Sequence, residues 1–276
     1  MLFPLVRKIG LLAFGALVVV NPALGAKQPK LGSYDLTEAK MPLGPLKVTL
    51  DYSLATTWPT PLDLNGPKVK RNWQFSTHMV FANSVDEISD GQLWQIARDA
   101  VDEMIADRSQ YLIGPMAQPN AMGILAWGNE IILASSMKGA GSFSYDFLGG
   151  DNPVGRRLEM CQMLWGGDWS TTHKNNGNCA EEFAAFLYHR QNEVELKGQN
   201  PRVGTWVAGK AWKQIDPCGT GDADIWGCNL FVQGEGMRVM DTQTAPEPYT
   251  LASLAGGLTR QEQIQSCGGD PRVFFP

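Results

Sequence analysis

The sequence predicts an α/β fold, on three observations. From Asp90 onward, apolar side chains recur at three- and four-residue steps, the period of a helix packed on one face. Two apolar runs then meet at Gly128-Asn129, the signature of a hairpin of buried strands. A second helical pattern opens after Asn178, and a strand-like run follows it at Gly204–Ala208. In chain order this is helix, hairpin, helix, strand.

The first 26 residues stand apart. Arg7 and Lys8 precede an apolar core from Ile9 to Val20, and Ala23-Leu24-Gly25 fits a small-x-small cleavage site. These features predict a signal peptide at 1–26 and a secreted, extracellular protein; the core falls short of the roughly 20 residues a spanning helix needs. Residues 27–85 carry Pro29, Pro42, Pro45, Pro59, Pro61 and Pro67 and read as an extended arm with one β-like run, Leu46–Leu50.

A core is expected over 86–240. Its first helix presents Leu93, Ile96, Ala97, Ala100, Val101, Met104 and Ile105 on one side, Arg98 and Asp102 on the other, with Asp86 or Asp90 as cap. The hairpin joins Ala121–Trp127 to Glu130–Ala134. A glycine-rich loop follows (Gly139, Gly141, Gly149, Gly150), reaching Trp165-Gly166-Gly167-Asp168-Trp169; loops of this length usually shape or cover a site. The second helix runs to about Gln191 with Ala180, Phe183, Ala184 and Leu187 on one face. Leu230–Val232 and Met237–Met240 read as two strands, or as a strand after a short helix. Residues 241–276, with Pro246, Pro248 and Pro271, read as an irregular tail.

Charge narrows the partners. With 28 acidic residues against 23 basic, the net charge is −5, and basic residues cluster only in short groups such as Lys68–Arg71. Stable nonspecific binding of nucleic acid, which wants a basic face, is not expected. No stretch after the leader is apolar enough to span a membrane.

The chemistry is concentrated in the C-terminal half, which holds all five cysteines: Cys161, Cys179, Cys218, Cys228 and Cys267. Asn178-Cys179-Ala180-Glu181 sets a thiol and a carboxylate two residues apart at a helix start, and Pro217-Cys218 and Cys228 add two more thiols. Zinc deaminases need three protein ligands and one glutamate that moves protons without ligating. In an oxidising compartment, disulfides are the competing use of the same thiols. Three zinc thiolates plus a Cys161–Cys267 disulfide would account for all five cysteines.

The element order together with Cys-Ala-Glu and Pro-Cys resembles the cytidine deaminase-like superfamily, closest to its secreted, toxin-type branches in which cysteine replaces the first histidine. The resemblance covers roughly residues 90–240. It implies a mixed sheet flanked by helices, zinc held at the N-termini of two helices, and a nucleobase-containing substrate that loses its exocyclic amine. Position by position, it makes Cys179 the first zinc ligand, Glu181 the general acid/base, Cys218 the second ligand and Cys228 the third. The chain departs from the family's two-residue spacing between the last pair, having nine residues at 219–227. A further departure is electronic: three thiolates donate more charge than two thiolates and a histidine, which makes bound water less acidic.

Two other classes remain open on the residues. Asn178 and Glu181 are spaced as a capping box, and Cys218 with Cys228 could close a disulfide, as in a secreted binding protein or effector on a catalytically inactive scaffold. A papain- or transglutaminase-like enzyme would use Cys179 as nucleophile and needs a histidine base. Of the three histidines, His189 lies ten residues along the same helix, about 15 Å away, and His78 and His173 read as structural or surface residues.

Overall fold

The computed structural model describes residues 34–58, 71–139, 141–147, 152–167 and 173–275. The expected signal peptide lies outside these residues, as do Gly149, Gly150, Asp168 and Trp169. The described chain is a mixed α/β structure in which helices flank a nine-stranded, predominantly antiparallel sheet.

In chain order the elements are β1 (Thr49–Leu50), α1 (Tyr52–Thr57), β2 (Phe75–Phe81), α2 (Asp90–Gln110), β3 (Ala121–Trp127) and β4 (Glu130–Ser135). They continue with α3 (Pro153–Gly166), α4 (Ala180–Gln191), β5 (Arg202–Val207), β6 (Lys213–Ile215), α5 (Cys228–Gly234), β7 (Arg238–Val239), β8 (Leu258–Gln263) and β9 (Arg272–Phe275). The strand path is β6-β5-β3-β4-β2-β8-β9; β1 pairs with β2, and β7 runs parallel to the start of β5.

The expected helix–hairpin–helix–strand succession is present as α2, β3–β4, α4 and β5. Helix α2 starts at a capping box made by Ser89 and Gln92 rather than at Asp86 or Asp90, and it buries Leu93, Ala97, Val101 and Met104 on one face of the sheet. Helix α4 covers the other face. Along the hairpin Met122, Ile124 and Ala126 join the cluster beneath α2, while Leu125 and Trp127 join the one beneath α4. Both faces are covered, which is why these strands read as unbroken apolar runs. The Leu230–Val232 and Met237–Met240 runs resolve as the helix-then-strand alternative, α5 followed by β7.

Four expectations give way. The arm at 27–85 supplies β1, α1 and β2, and β2 is an interior strand between β4 and β8; the tail supplies β8 and β9. Their polar residues hid the strands. Within the sheet several polar groups find partners: His78 meets Glu130 and Glu262, the Ser135 hydroxyl accepts from Phe75 N–H, and Gln263 donates to the Thr49 carbonyl. The glycine-rich loop contains a helix, α3, opened by the Asn152 side chain and closed by Gly167 at φ +68°; Trp165 belongs to it and packs half-buried against the core. Finally, all five cysteines are free, and Cys161 and Cys267 are unbonded, packing as small hydrophobes in the cluster beneath α4.

Candidate metal centre

Helix α4 begins one residue later than expected, with Cys179 as its N-cap and no side-chain cap bond. The Asn178–Glu181 capping box is therefore not formed. The Asn178 side chain turns outward instead, accepting from Phe143 N–H at 2.9 Å and donating to the Gly141 carbonyl at 3.0 Å, which fastens the start of α4 to the preceding loop. Glu181 and Glu182 are both buried in the first turn. A glutamate outside any capping box, buried at a helix start, needs another explanation.

Gly123 sets how closely this turn approaches the sheet. A Cβ at that position would lie 3.0 Å from the Ala180 Cβ, so glycine on β3 and alanine on α4 let Cys179 and Glu181 sit directly over the strands.

The last two thiols come together through the loop 219–227. Cys228 opens α5, and Cys218 folds back beside it: Asn229 N–H donates to the Cys218 carbonyl at 3.0 Å, and Cys228 N–H donates to the Cys218 sulfur at 3.3 Å. Gly227 makes room, since a Cβ there would stand 2.4 Å from that sulfur. The nine-residue spacing thus brings the two thiols together by a return loop, with Cys218 off the helix altogether.

Three sulfurs and one imidazole converge, with ligand atoms all within 4.8 Å of one another: His173, Cys179, Cys218 and Cys228. Cys218 Sγ lies 3.9 Å from Cys179 Sγ and 3.3 Å from Cys228 Sγ, while His173 Nε2 lies 3.7 Å from Cys218 Sγ and 3.5 Å from Cys228 Sγ. Sulfurs bound tetrahedrally to zinc at about 2.3 Å stand about 3.8 Å apart, so the donor set has the spacing and softness for zinc or a similar thiophilic ion. A second grouping, Cys179, Glu181, Glu182 and Cys228, shares two of these thiols. The cluster could hold a metal ion; its identity is not specified by the donors alone.

His173, expected at the surface, is 1% exposed. Its Nδ1 accepts from the backbone N–H groups of Asn175 and Gly177, each at 3.1 Å, and this holds the turn leading into α4. Trp226 packs edge-on against the ring at 5.3 Å. Nε2 faces the sulfurs and Glu182, whose Oε1 lies 3.0 Å away but is left without an aligned hydrogen bond. Nothing in the spacing marked His173 or Glu182: a lone histidine in a Gly- and Asn-rich segment carries no periodic signal.

The electrostatics follow from burial and crowding. Hydrogen bonds from Cys179 and Cys228, assisted by His173, hold Cys218 well below the ordinary thiol range, and its two neighbours are correspondingly raised. Burial and the adjacent Glu182 push Glu181 up to about 7. Burial opposes charge on His173, but Glu182 and the Cys218 sulfur outweigh it and the net shift is upward; both lie on the Nε2 side, which is where they favour the proton, while Nδ1 is taken by the two backbone donors.

A cleft of about 460 Å³ opens onto Cys179, Glu181, Cys218 and Cys228. Asn120, Ser136, Asn175 and Thr205 contribute amide and hydroxyl groups to its walls. His173 and Glu182 are not among its lining residues; they lie behind the thiols. No protein-family model matches the sequence, and comparison with curated proteins and with solved structures returns no match.

Proposed function

We propose that this chain is a secreted, zinc-dependent hydrolase that replaces the exocyclic amine of a nucleobase, free or within a nucleoside or nucleic acid, by a carbonyl oxygen. One observation carries the reading. Glu181 stands two residues past the first of three converging thiols, buried and outside any capping box, at a cleft large enough for a nucleoside. The helix–hairpin–helix–strand order, and thiols at the starts of α4 and α5, agree with the deaminase-like expectation.

Cys179, Cys218 and Cys228 are the residues that would hold zinc, which when bound supplies a Lewis acid to polarise water. Glu181 moves the protons. With a carboxyl pushed up to about 7, it accepts a proton from the attacking water near neutral pH and gives it to a ring nitrogen, then takes the second proton from the new hydroxyl and gives that one to the departing amine. Water supplies the oxygen, ammonia leaves, and the carboxylate is regenerated. Asn120, Ser136 and Thr205 offer hydrogen-bond partners to orient the ring.

The cysteine-nucleophile alternative lacks a base. The ring nitrogen of His173 that has a free lone pair is occupied by two backbone donors, and His189 Nε2 faces Glu235 at 3.6 Å.

The test is a panel of cytosine- and adenine-containing bases, nucleosides and single-stranded oligonucleotides assayed for ammonia release, beside metal analysis. Wild type should carry one metal per chain and turn over at least one substrate, and Glu181→Gln should lose about 10²-fold or more in kcat with metal content unchanged. Unchanged turnover by Glu181→Gln ends the proposal, as does a metal-free protein with paired Cys218 and Cys228.

A further inference from the structure

Building on the metal-site reading above, we propose that His173 is not a fourth metal ligand but a hydrogen-bond donor to the thiols through Nε2–H. The protein's ligand set would then be three thiolates, with the fourth coordination position left facing the cleft.

The argument starts from the far side of the ring. A neutral imidazole has one donor and one acceptor nitrogen, and two backbone N–H groups converge on Nδ1 at 3.1 Å. Nδ1 must accept, so the ring proton resides on Nε2. Ligating histidines almost always show the reverse arrangement, with the nitrogen remote from the metal donating to a carbonyl or carboxylate. An Nε2 that carries a proton has no lone pair for a metal, although its distances to the two sulfurs, 3.5 and 3.7 Å, resemble those of a ligand.

The census of N–H groups around the sulfurs gives the role its purpose. Cys179 Sγ accepts from Asn175 Nδ2 at 3.1 Å, and Cys218 Sγ accepts from Cys228 N–H at 3.3 Å. Cys228 Sγ, fully buried, has no such amide donor; His173 Nε2 lies 3.5 Å away, and around it stand Cys218 Sγ at 3.3 Å and the carboxylates of Glu181 and Glu182 at 3.6 and 3.5 Å. A thiolate facing two carboxylates needs a donor. Each N–H directed at a sulfur withdraws charge from it, which offsets the excess donation of a three-thiolate set. Glu182 Oε1, 3.0 Å from Nε2 and otherwise unpartnered, fixes the side of the ring on which the proton is favoured.

Two substitutions separate the ring's two ends. His173→Asn places an acceptor oxygen near Nδ1 and removes the donor; His173→Gln reaches the sulfurs with an N–H and gives up the inner acceptor. Zinc K-edge absorption on wild type should show three sulfur scatterers and no imidazole outer-shell scattering. In cobalt-loaded protein, His173→Asn should keep three thiolates but move the sulfur-to-cobalt charge-transfer band to lower energy, as thiolates stripped of a donor are easier to oxidise, while His173→Gln stays close to wild type. Zinc affinity measured by chelator competition should fall about 10- to 100-fold in His173→Asn. Imidazole scattering from wild type overturns the inference and leaves a closed, four-ligand zinc site. A His173→Asn band at the wild-type energy overturns it in favour of a turn-holding role alone. Protein that takes up no metal overturns it together with the functional reading, whereas absent deaminase activity in a three-sulfur protein sinks only the latter.

Discussion

At the scale of single residues, the site depends as much on missing side chains as on those present. A Cβ on Gly227 would lie 2.4 Å from Cys218 Sγ and 2.7 Å from the Cys218 carbonyl, so Gly227→Ala must push that thiol off its position or open the return loop. Metal affinity should fall by well over tenfold, since loss of a mere supporting contact already costs about that much. The helices should remain by circular dichroism, and Gly198→Ala, whose Cβ meets nothing within 4 Å, should bind metal as wild type does. An unaltered dissociation constant for Gly227→Ala would show that Cys218 is not held where the loop puts it. The ligand candidates Cys179, Cys218 and Cys228, and Glu181 beside them, were legible because thiols and a carboxylate in Cys-Ala-Glu and Pro-Cys settings declare themselves by residue type. His173 and Glu182 were not, because their meaning lies in contacts with residues 45 and 55 positions along the chain from the histidine.

Among the elements, legibility followed the period of the apolar residues. Helix α2, the hairpin β3–β4, helix α4 and strand β5 each bury a regular apolar pattern, and each was visible. Strands β2 and β8 bury Ser76, Thr77, His78, Gln261, Glu262 and Gln263, so no alternation of polarity marks them. What joins these strands is charge: His78 on β2 sits between Glu130 on β4, at 2.7 Å, and Glu262 on β8, at 3.0 Å. Burial lowers the pKa of the histidine, but the two carboxylates outweigh it and the net shift is upward. A histidine raised on folding contributes stability that is complete below its unfolded value of about 6.5 and is lost as pH rises through the folded one. His78→Gln should therefore destabilise by about 3 kcal/mol at pH 6, the cost of leaving a buried carboxylate unpaired, and the gap to wild type should narrow as the pH is raised. Urea titrations of both proteins across pH 6 to 9 read this directly; a gap that widened with pH would mean the histidine is neutral in the fold.

Over the whole molecule, the sheet divides the core into two apolar clusters, and the candidate site belongs to one of them. The cluster around α2 takes Leu46, Val48, Phe75, Met79 and the α2-facing residues of β3 and β4; the thiols all come from segments on the α4 side, after α3. The α2 side is closed by apolar packing and by buried carboxylates such as Glu103, which accepts from the N–H groups of Leu46 and Val48 at 2.7 and 3.1 Å and lies outside both candidate metal groupings among the described residues. The return loop at 219–227, by contrast, is held by Asn229, by the sulfur of Cys218 beside Cys228 N–H, and by the buried Trp226, which packs on His173 and whose carbonyl accepts from Lys174 N–H at 3.2 Å, all of them contacts to the site's own segments. Removing metal should thus be felt unevenly. At a free metal concentration about 100 times the dissociation constant, binding adds about 2.7 kcal/mol, or roughly 5–10 °C in Tm for a domain of this size. Chelation should lower Tm by about that amount under matched conditions. Hydrogen exchange should show why: lost protection confined to the turn at 173–179, the loop at 218–227 and α5, with α2, β3 and β4 exchanging as before. Loss of protection spread evenly over both faces would mean that the metal holds the entire fold and not the α4 side alone.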